Sequence, residues 1–478
     1  MTHRIFNRPV SGSPRLLTTL IFAALLGGCA TQTTLEQPTP DLPQQFSVTG
    51  SQLQPQKWWN TFADPQLNRL IDQALGGNFN LKAAVARVQQ AEALAIKSGA
   101  SLTPSLDASL DAGKTFHSTA DSENLQLGLQ ASYEIDLWSR LQAAETSAQL
   151  DYLASREDLE VAALTLSADV ADRWYALLTQ EALVKLYQDQ LKTLKDQLAI
   201  IELRFQNGQQ DSEDVLQQQQ QIENLRANLV AAESEQQIIQ QQLALLLGQS
   251  QLSGVRLSRQ LPKLAPMPAT GIPADLASRR PDLKQAWLTQ QSQQQGLIVA
   301  EADRLPQIHL SASLLSTSAD LSTLVNDWTT GLAASLVAPL FDGGQRKAEV
   351  QRQKALVDES VHHYSQAVLE AFSDIETTLT QEASEQQQLD SVQLQLALAK
   401  KAETIKWSRY RNGDSSFLEV LTAQKSRLDL EQQQIQSHGQ LLANRIAVHR
   451  AIAGDLNYAQ QVLPTSSMTQ QKPSGSTL

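Results

Sequence analysis

Between Gln142 and Phe205 the chain contains neither proline nor glycine, and no other feature constrains its fold as strongly. An uninterrupted helix of that length would run about 96 Å at 1.5 Å per residue, more than an ordinary compact domain needs. Within it Val184, Tyr187, Leu191, Leu194, Leu198, Ile201 and Phe205 alternate spacings of three and four, the seam of a coiled coil. The rhythm returns at Ile222, Leu225, Leu229 and Ala232, and again at Val357, Val361, Tyr364, Val368, Ala371 and Ile375. The first run ends in "RFQNG" (204–208), and "RYRNG" (409–413) closes its later counterpart. Asp214, Val215 and Leu216 follow the first phrase as Glu419, Val420 and Leu421 follow the second. Gly208 and Gly413 suit the positive φ that ends a helix and reverses the chain. The two phrases therefore read as the tips of two long helical hairpins made by internal duplication.

Each half also carries a pair of alternating segments. Leu106, Ala108, Leu110 and Ala112 alternate with polar residues or glycine, as do Leu125, Leu127, Leu129, Ala131, Tyr133, Ile135 and Leu137, with "HSTADSE" (117–123) between the two runs. In the second half Ile308, Leu310, Ala312 and Leu314 form one run, and Trp328, Thr330, Leu332, Ala334, Leu336, Ala338 and Leu340 the other. Period-two patterning predicts strands, each close to the roughly 9–11 residues that cross an outer membrane at a tilt. A sheet half-buried against soluble helices fits the same pattern. Four strands cannot close a barrel alone, because open edges in lipid leave backbone groups unpaired. A membrane-spanning reading thus requires several copies of the chain.

At the N-terminus Arg4, Arg8 and Arg15 precede the apolar "LLTTLIFAALLGG", which stops at Cys29. This is the order of a secretion signal, and "LGGC" (26–29) matches the bacterial lipobox, which makes Cys29 the expected lipidation site. As the only cysteine it rules out an intrachain disulfide and any cysteine-based zinc site. Ala30 after it implies outer-membrane sorting by resemblance to bacterial lipoproteins. The chain carries a net charge of −12, which disfavours nucleic acid as a partner. No apolar run after Cys29 is long enough for a transmembrane helix.

The organisation expected is α+β, with two tandem repeats of helix, strand, strand, long helix, hairpin tip and helix. The parts are a signal peptide (1–28), a lipidated tether (29–54), a first repeat (55–260), a proline-rich connector (261–273), a second repeat (274–457) and a loose tail (458–478). Pro104 and Pro306 open the strand pairs, and "DLWSR" (136–140) and "PLFDGG" (339–344) turn the chain back into the long helices.

"WWNTFADPQLNRLIDQAL" (58–75), "YEIDLWSRL" (133–141), "LASRRPDLKQA" (276–286), "PLFDGGQRKAEV" (339–350) and "RYRNGDSSFLEVLTAQ" (409–424) resemble the TolC-like outer-membrane efflux proteins, in particular the lipoprotein branch known as the NodT family with its OprM-like channels. The resemblance spans about Trp58 to Gly454. It implies a homotrimer in which the strands of three chains form a twelve-stranded barrel, continued by a twelve-helix periplasmic tunnel. It also implies docking to a periplasmic adaptor and to an inner-membrane pump of the resistance-nodulation-division type, for export of drugs or other toxic compounds. No cofactor beyond the covalent lipid on Cys29 is implied.

The resemblance further implies a gate at the periplasmic end. Leu418 falls where such channels place an apolar constriction, Glu419 at an acidic aperture position, and Asp214 is the first-repeat equivalent of Glu419. Three copies of Glu419 around an axis would attract cations and repel one another. Thr422 stands where relatives commonly carry a second Asp, which puts a second acidic ring in doubt. At the tips, Arg204, Asn207, Gly208, Arg409, Asn412 and Gly413 are candidates for adaptor contact, while the two arginines equally suit the last turn of a helix on dipole grounds. Trp58 and Trp59 are expected to pack on the helical bundle. His362 and His363 lack the spacing of a metal pair, and His309 falls on the polar face of its strand. A non-conducting coiled-coil lipoprotein tether would share the heptads and lipobox, although the strands argue against it. No nucleophile, phosphate loop or clustered histidine suggests an enzyme.

Overall fold

The computed structural model describes residues 40–50, 55–116, 122–255 and 261–463. Cys29 with the signal segment, most of the 117–123 stretch between the first two expected strands, and the end of the tail from residue 464 lie outside the described residues. After a 3-10 turn at Trp58–Phe62, the first repeat runs α1 (Pro65–Gly77), α2 (Phe79–Ala100), β1 (Ser105–Thr115), β2 (Ser122–Ile135), α3 (Arg140–Gln206) and α4 (Ser212–Leu246). The second runs α5 (Leu276–Arg279), α6 (Pro281–Ala302), β3 (Gln307–Ser318), β4 (Trp328–Val337), α7 (Gln345–Arg411) and α8 (Phe417–Ile452), followed by a short α9 (Tyr458–Val462). Both α3 and α7 are 67 residues long, about 100 Å each.

The turns that launch the two long helices share a device. The Asp136 carboxylate accepts from the backbone N–H groups of Leu141 (3.1 Å) and Gln142 (2.9 Å). Asp342 accepts from Gly344 (2.9 Å) and Arg346 (3.2 Å). Each supplies partners for amide groups left open at a helix N-terminus. The tips share another. Gly208 and Gly413 take φ of 71° and 84°. Gly208 N–H donates to the Phe205 carbonyl (2.9 Å) and Gln209 N–H to that of Arg204 (2.9 Å), while Gly413 bonds Tyr410 (3.0 Å) and Asp414 bonds Arg409 (2.9 Å). Both pairs are Schellman closures, so the repeated "NG" is a helix stop in each half.

The four strands form one antiparallel sheet in the order β1-β2-β3-β4. Its register places Leu110 opposite Leu127, Leu129 opposite Leu314, Tyr133 opposite Leu310 and Ala312 opposite Leu332. One face is consequently apolar across all four strands, while Asp107, Gln130, Ser313 and His309 occupy the other. Gly128 leaves room on that second face for Leu315, whose Cδ2 would lie 2.6 Å from an added Cβ. Strands β1 and β4 are edges, and Leu106, Leu110, Leu332 and Leu336 are exposed.

Among the helices, α3 packs against α2 and α4 of its own repeat and against α6 and α8 of the other. α7 packs along α6 and α8 of its own repeat, with a smaller contact to α5, and meets α3 of the other repeat at the tips through Tyr410. No described helix is long and apolar enough to cross a membrane.

Trp58 and Trp59 are fully buried. The Trp58 indole donates to Ser167 Oγ (3.1 Å) and lies against the His449 ring. Trp174 donates to Asp64 (2.7 Å), the cap of α1. Burial first, and Arg445 second, push the His449 imidazole down to about 3, so the ring is neutral. Arg445 itself forms a buried pair with Glu382 of α7 and donates to the Ala265 carbonyl (2.6 Å) of the connector. The connector is thus fastened to α8, where His438 also meets the Pro262 carbonyl at 3.0 Å.

The described part of the tether and the start of the tail, the latter expected to be loose, are docked. Phe46 of the tether is buried and stacks on Phe372, with Ser47 N–H donating to Glu376. The start of the tail is helical as α9: Tyr458 donates to the Leu75 carbonyl (2.7 Å) and Ala459 N–H to Glu160 (2.7 Å). Both associations join positions far apart in the chain, which composition does not reveal.

Removing one member of the Arg445–Glu382 pair strands a buried charge. Glu382→Ala is expected to cost roughly 3–5 kcal/mol and to lower the thermal midpoint clearly, whereas a combined Arg445→Met, Glu382→Leu variant should lose much less. Glu157 gives a pH dependence. Burial, reinforced by Asp455, pushes its carboxyl from 4.5 up to about 7, against the pull of Lys284. The folded chain therefore holds this proton more tightly than the unfolded chain, and the stabilisation present at lower pH is lost as pH rises through about 7. A melting series across that window should show the decline, and Glu157→Gln should remove that part of it.

Candidate functional site at the hairpin tips

The structure brings the two tips together. Ile201 of α3 is buried with Tyr410, Phe417 and Val420 of the second hairpin, flanked by Val215, Trp407 and Leu421. The rings of Tyr410 and Phe417 have centroids 5.5 Å apart, and Trp407 meets both edge-on. The Arg204 guanidinium lies 5.2 Å from the Tyr410 ring centroid, a cation–π contact between hairpins.

A polar chain extends from this cluster. Tyr410 Oη donates to Gln210 Oε1, and Gln210 Nε2 donates to the Asp214 carboxylate. Burial raises the Tyr410 phenol above its ordinary range, so it stays a donor. Burial also raises the Asp214 carboxyl, assisted by Asp211 and Glu213 and opposed by Gln210. Asp214 is therefore tied through Gln210 to the other hairpin.

Glu419 sits at the corresponding third position of α8, where Ser416 Oγ accepts from its backbone N–H in the manner of a capping box. Its carboxylate pairs with Lys406 of α7, and that bond, with one from Ser415, holds it below the usual carboxyl range. Leu418 is exposed. Thr422 donates back to the Leu418 carbonyl (2.8 Å), so it adds a capped hydroxyl and no charge. Arg409 and Arg411 are exposed, and among the described residues neither has an ion-pair partner. Asn207 Nδ2 donates to the Leu203 carbonyl (2.9 Å), while Asn412 serves the second tip through its backbone.

Asp214 and Glu419 are thus held differently. The first is tied across to the other hairpin and the second is paired within its own. Sequence reading selected Arg204, Asp214 and Glu419 but missed Tyr410, Gln210 and Lys406. Tyr410 had a signal, since it lies inside "RYRNG" where the first repeat has Phe205.

The description of the outer membrane efflux protein family matches residues 70–249 and 272–454. The chain belongs to the outer membrane efflux protein family. The two matched stretches fall one in each structural repeat. A curated relative is the pyoverdine export outer membrane protein OpmQ of Pseudomonas putida, 30% identical over 463 residues, which cover 92% of this chain and 97% of that protein. In fold, this efflux protein is similar to a membrane protein from Pseudomonas aeruginosa, with a TM-score of 0.84, 24% identity and coverage of 89% of this chain and 100% of the other. It is likewise similar to the Campylobacter jejuni CmeC outer membrane channel, with a TM-score of 0.82, 23% identity and coverage of 92% and 97%. Membership favours the efflux channel over a non-conducting tether.

In this efflux protein, Tyr410→Phe deletes one hydrogen bond between hairpins while keeping the ring under Arg204. The expected cost is about 1 kcal/mol, visible as faster amide hydrogen exchange around both tips and unchanged exchange in α1 and α2.

Proposed function

We propose that three copies of this chain form the exit duct of a tripartite efflux pump, a passive conduit gated by helix movement at its periplasmic end. The observation that carries the reading is the pair of open flanks on a duplicated chain. Within the chain, β2 of the first repeat pairs with β3 of the second, and α3 packs against α6 and α8. Repetition of the same contacts between copies would join β4 to β1 of the next copy and α7 to its α2 and α4. Such head-to-tail contacts form a ring when the rotation closes. A ring of three makes a twelve-stranded barrel, and its apolar sheet face would meet lipid.

The anchor in this reading is the lipid on Cys29, which places the barrel in the outer membrane and the helices in the periplasm. Leu418 and Glu419, with Asp214, form the aperture. The tip residues Arg204, Asn207, Gly208, Arg409, Asn412 and Gly413 face a periplasmic adaptor, behind which stands an inner-membrane pump of the resistance-nodulation-division type. Lys406 moderates the field of the Glu419 ring, and Thr422 adds no second ring, so the aperture attracts cations only weakly. A relative exports pyoverdine; the cargo here is whatever small compound the inner-membrane pump delivers.

Single-channel recording tests the reading. The purified lipoprotein in planar bilayers should give small or flickering currents, and a Leu418→Ala, Glu419→Ala variant large and steady ones. Equal large currents in both would remove the gate from these residues, and silence in both with proven insertion would overturn the conduit.

A further inference from the structure

Beyond α8 the chain crosses from the second repeat back to the first. Residues 453–457 leave the helix, and Asn457 turns the backbone into α9 with a φ of 54°, a conformation asparagine adopts more readily than most residues. Leu456 and Ala459 are buried in the cluster that also holds Trp58, Leu70 and Ile71. Tyr458 Oη donates to the Leu75 carbonyl of α1 (2.7 Å), Gln56 Nε2 donates to the Leu456 carbonyl (2.9 Å), and Glu160 of α3 accepts from Ala459 N–H (2.7 Å). Residues 454–463 are thus a strap that ties the end of α8 to α1 and α3.

Carboxyl groups crowd the place where it docks. Glu157 and Glu160 lie one turn apart on α3, and Asp455 of the strap acts on both. Glu160 is 5% exposed, and one oxygen each of Glu157, Glu160 and Asp455 is buried with no hydrogen-bond partner among the described residues. The cations facing Glu157 are Lys284 of α6, already bonded to Asp455, and Arg156, which lies by the Tyr152 ring. The Tyr458 phenol, raised by burial and then by Glu160, stays protonated. Three carboxyl groups therefore meet two cations, and three acceptor oxygens lack a donor. A proton on Glu157 corrects both, because it cancels the surplus charge and turns one acceptor into a donor. Burial, reinforced by Asp455, keeps that proton on Glu157 up to about 7.

We propose that residues 454–463 form a proton-operated clasp between the two repeats, docked on α3 while Glu157 carries its proton and released when Glu157 becomes an anion beside Glu160 and Asp455. Release frees the Leu75 carbonyl and uncovers the apolar face beneath Leu456 and Ala459, so the junction between the repeats loosens at one end while the long helices keep their places. With the strap off, water reaches Glu157 and its hold on the proton falls toward the ordinary carboxyl range. The docked form binds the proton more tightly, so the clasp weakens as pH rises toward about 7 and levels off above it.

Hydrogen–deuterium exchange of the full-length protein, followed by mass spectrometry across this pH range and corrected for the intrinsic pH dependence of amide exchange, tests the clasp. Peptides from 454–463 should exchange faster than the buried middle of α3, and their protection should fall by up to about tenfold per pH unit between about 5 and 7 and then level off. Glu157→Gln, neutral at every pH, should keep the strap protected throughout the series. Strap protection that is independent of pH in the parent would overturn the inference, as would a pH dependence that survives in Glu157→Gln. A strap that exchanges only as fast as the middle of α3 at every pH would overturn it too, because it would then open only with the whole chain. If Glu157→Gln fails to fold, Asp455→Asn decides. Without the carboxylate that reinforces the proton on Glu157, the loss of protection across the window should shrink, and an unchanged loss contradicts the clasp.

Discussion

The free hydrogen-bonding groups along β1 and β4 set the terms for the rest of the molecule. A sheet with one face apolar across four strands suits hydrocarbon, but each unpaired amide or carbonyl at its edges would cost several kcal/mol there. In hydrocarbon water could not satisfy those groups, and the chain has no fifth strand among the described residues. In the ring reading further copies would supply the partners. The family to which the chain belongs, and the fold it shares with outer-membrane channels, are consistent with a molecule completed by association.

Duplication makes that association economical. The chain already contains one repeat-to-repeat junction, with β2 against β3 and α3 against α6 and α8. Asp136 and Asp342 start the long helices in the same way, and identical Schellman closures stop them. Where the repeats diverge, function has room. Lys406 in place of Ile201 pairs with Glu419, and Tyr410 in place of Phe205 gains a partner in Gln210. The hairpin tips therefore combine an apolar join and a charged one built on the same backbone plan.

Much of this was legible in the sequence because it is periodic. The absence of proline and glycine between Gln142 and Phe205 foretold α3, alternation foretold the strands, and "NG" foretold the tips. The described strands end near the expected positions, although β4 stops at Val337, short of Leu340, and Leu340 and Phe341 are exposed in an irregular segment. Trp58 and Trp59 are buried against the bundle as their context suggested. What escaped was pairing at long range. Arg445 with Glu382, Tyr410 with Gln210, and Tyr458 with the Leu75 carbonyl join positions far apart in the chain, and no local pattern names such partners. The family resemblance likewise pointed to Glu419 as an acidic aperture position without revealing that it pairs with Lys406.

Electron cryomicroscopy of the detergent-extracted particle, with attention to the hydrogen bonding of β4, would show whether copies complete the sheet. Three chains are expected, with β4 of each paired antiparallel to β1 of the next and α7 lying between helices of both copies. A particle in which β1 and β4 remain unpaired, or pair with themselves across a two-fold axis, would contradict that expectation.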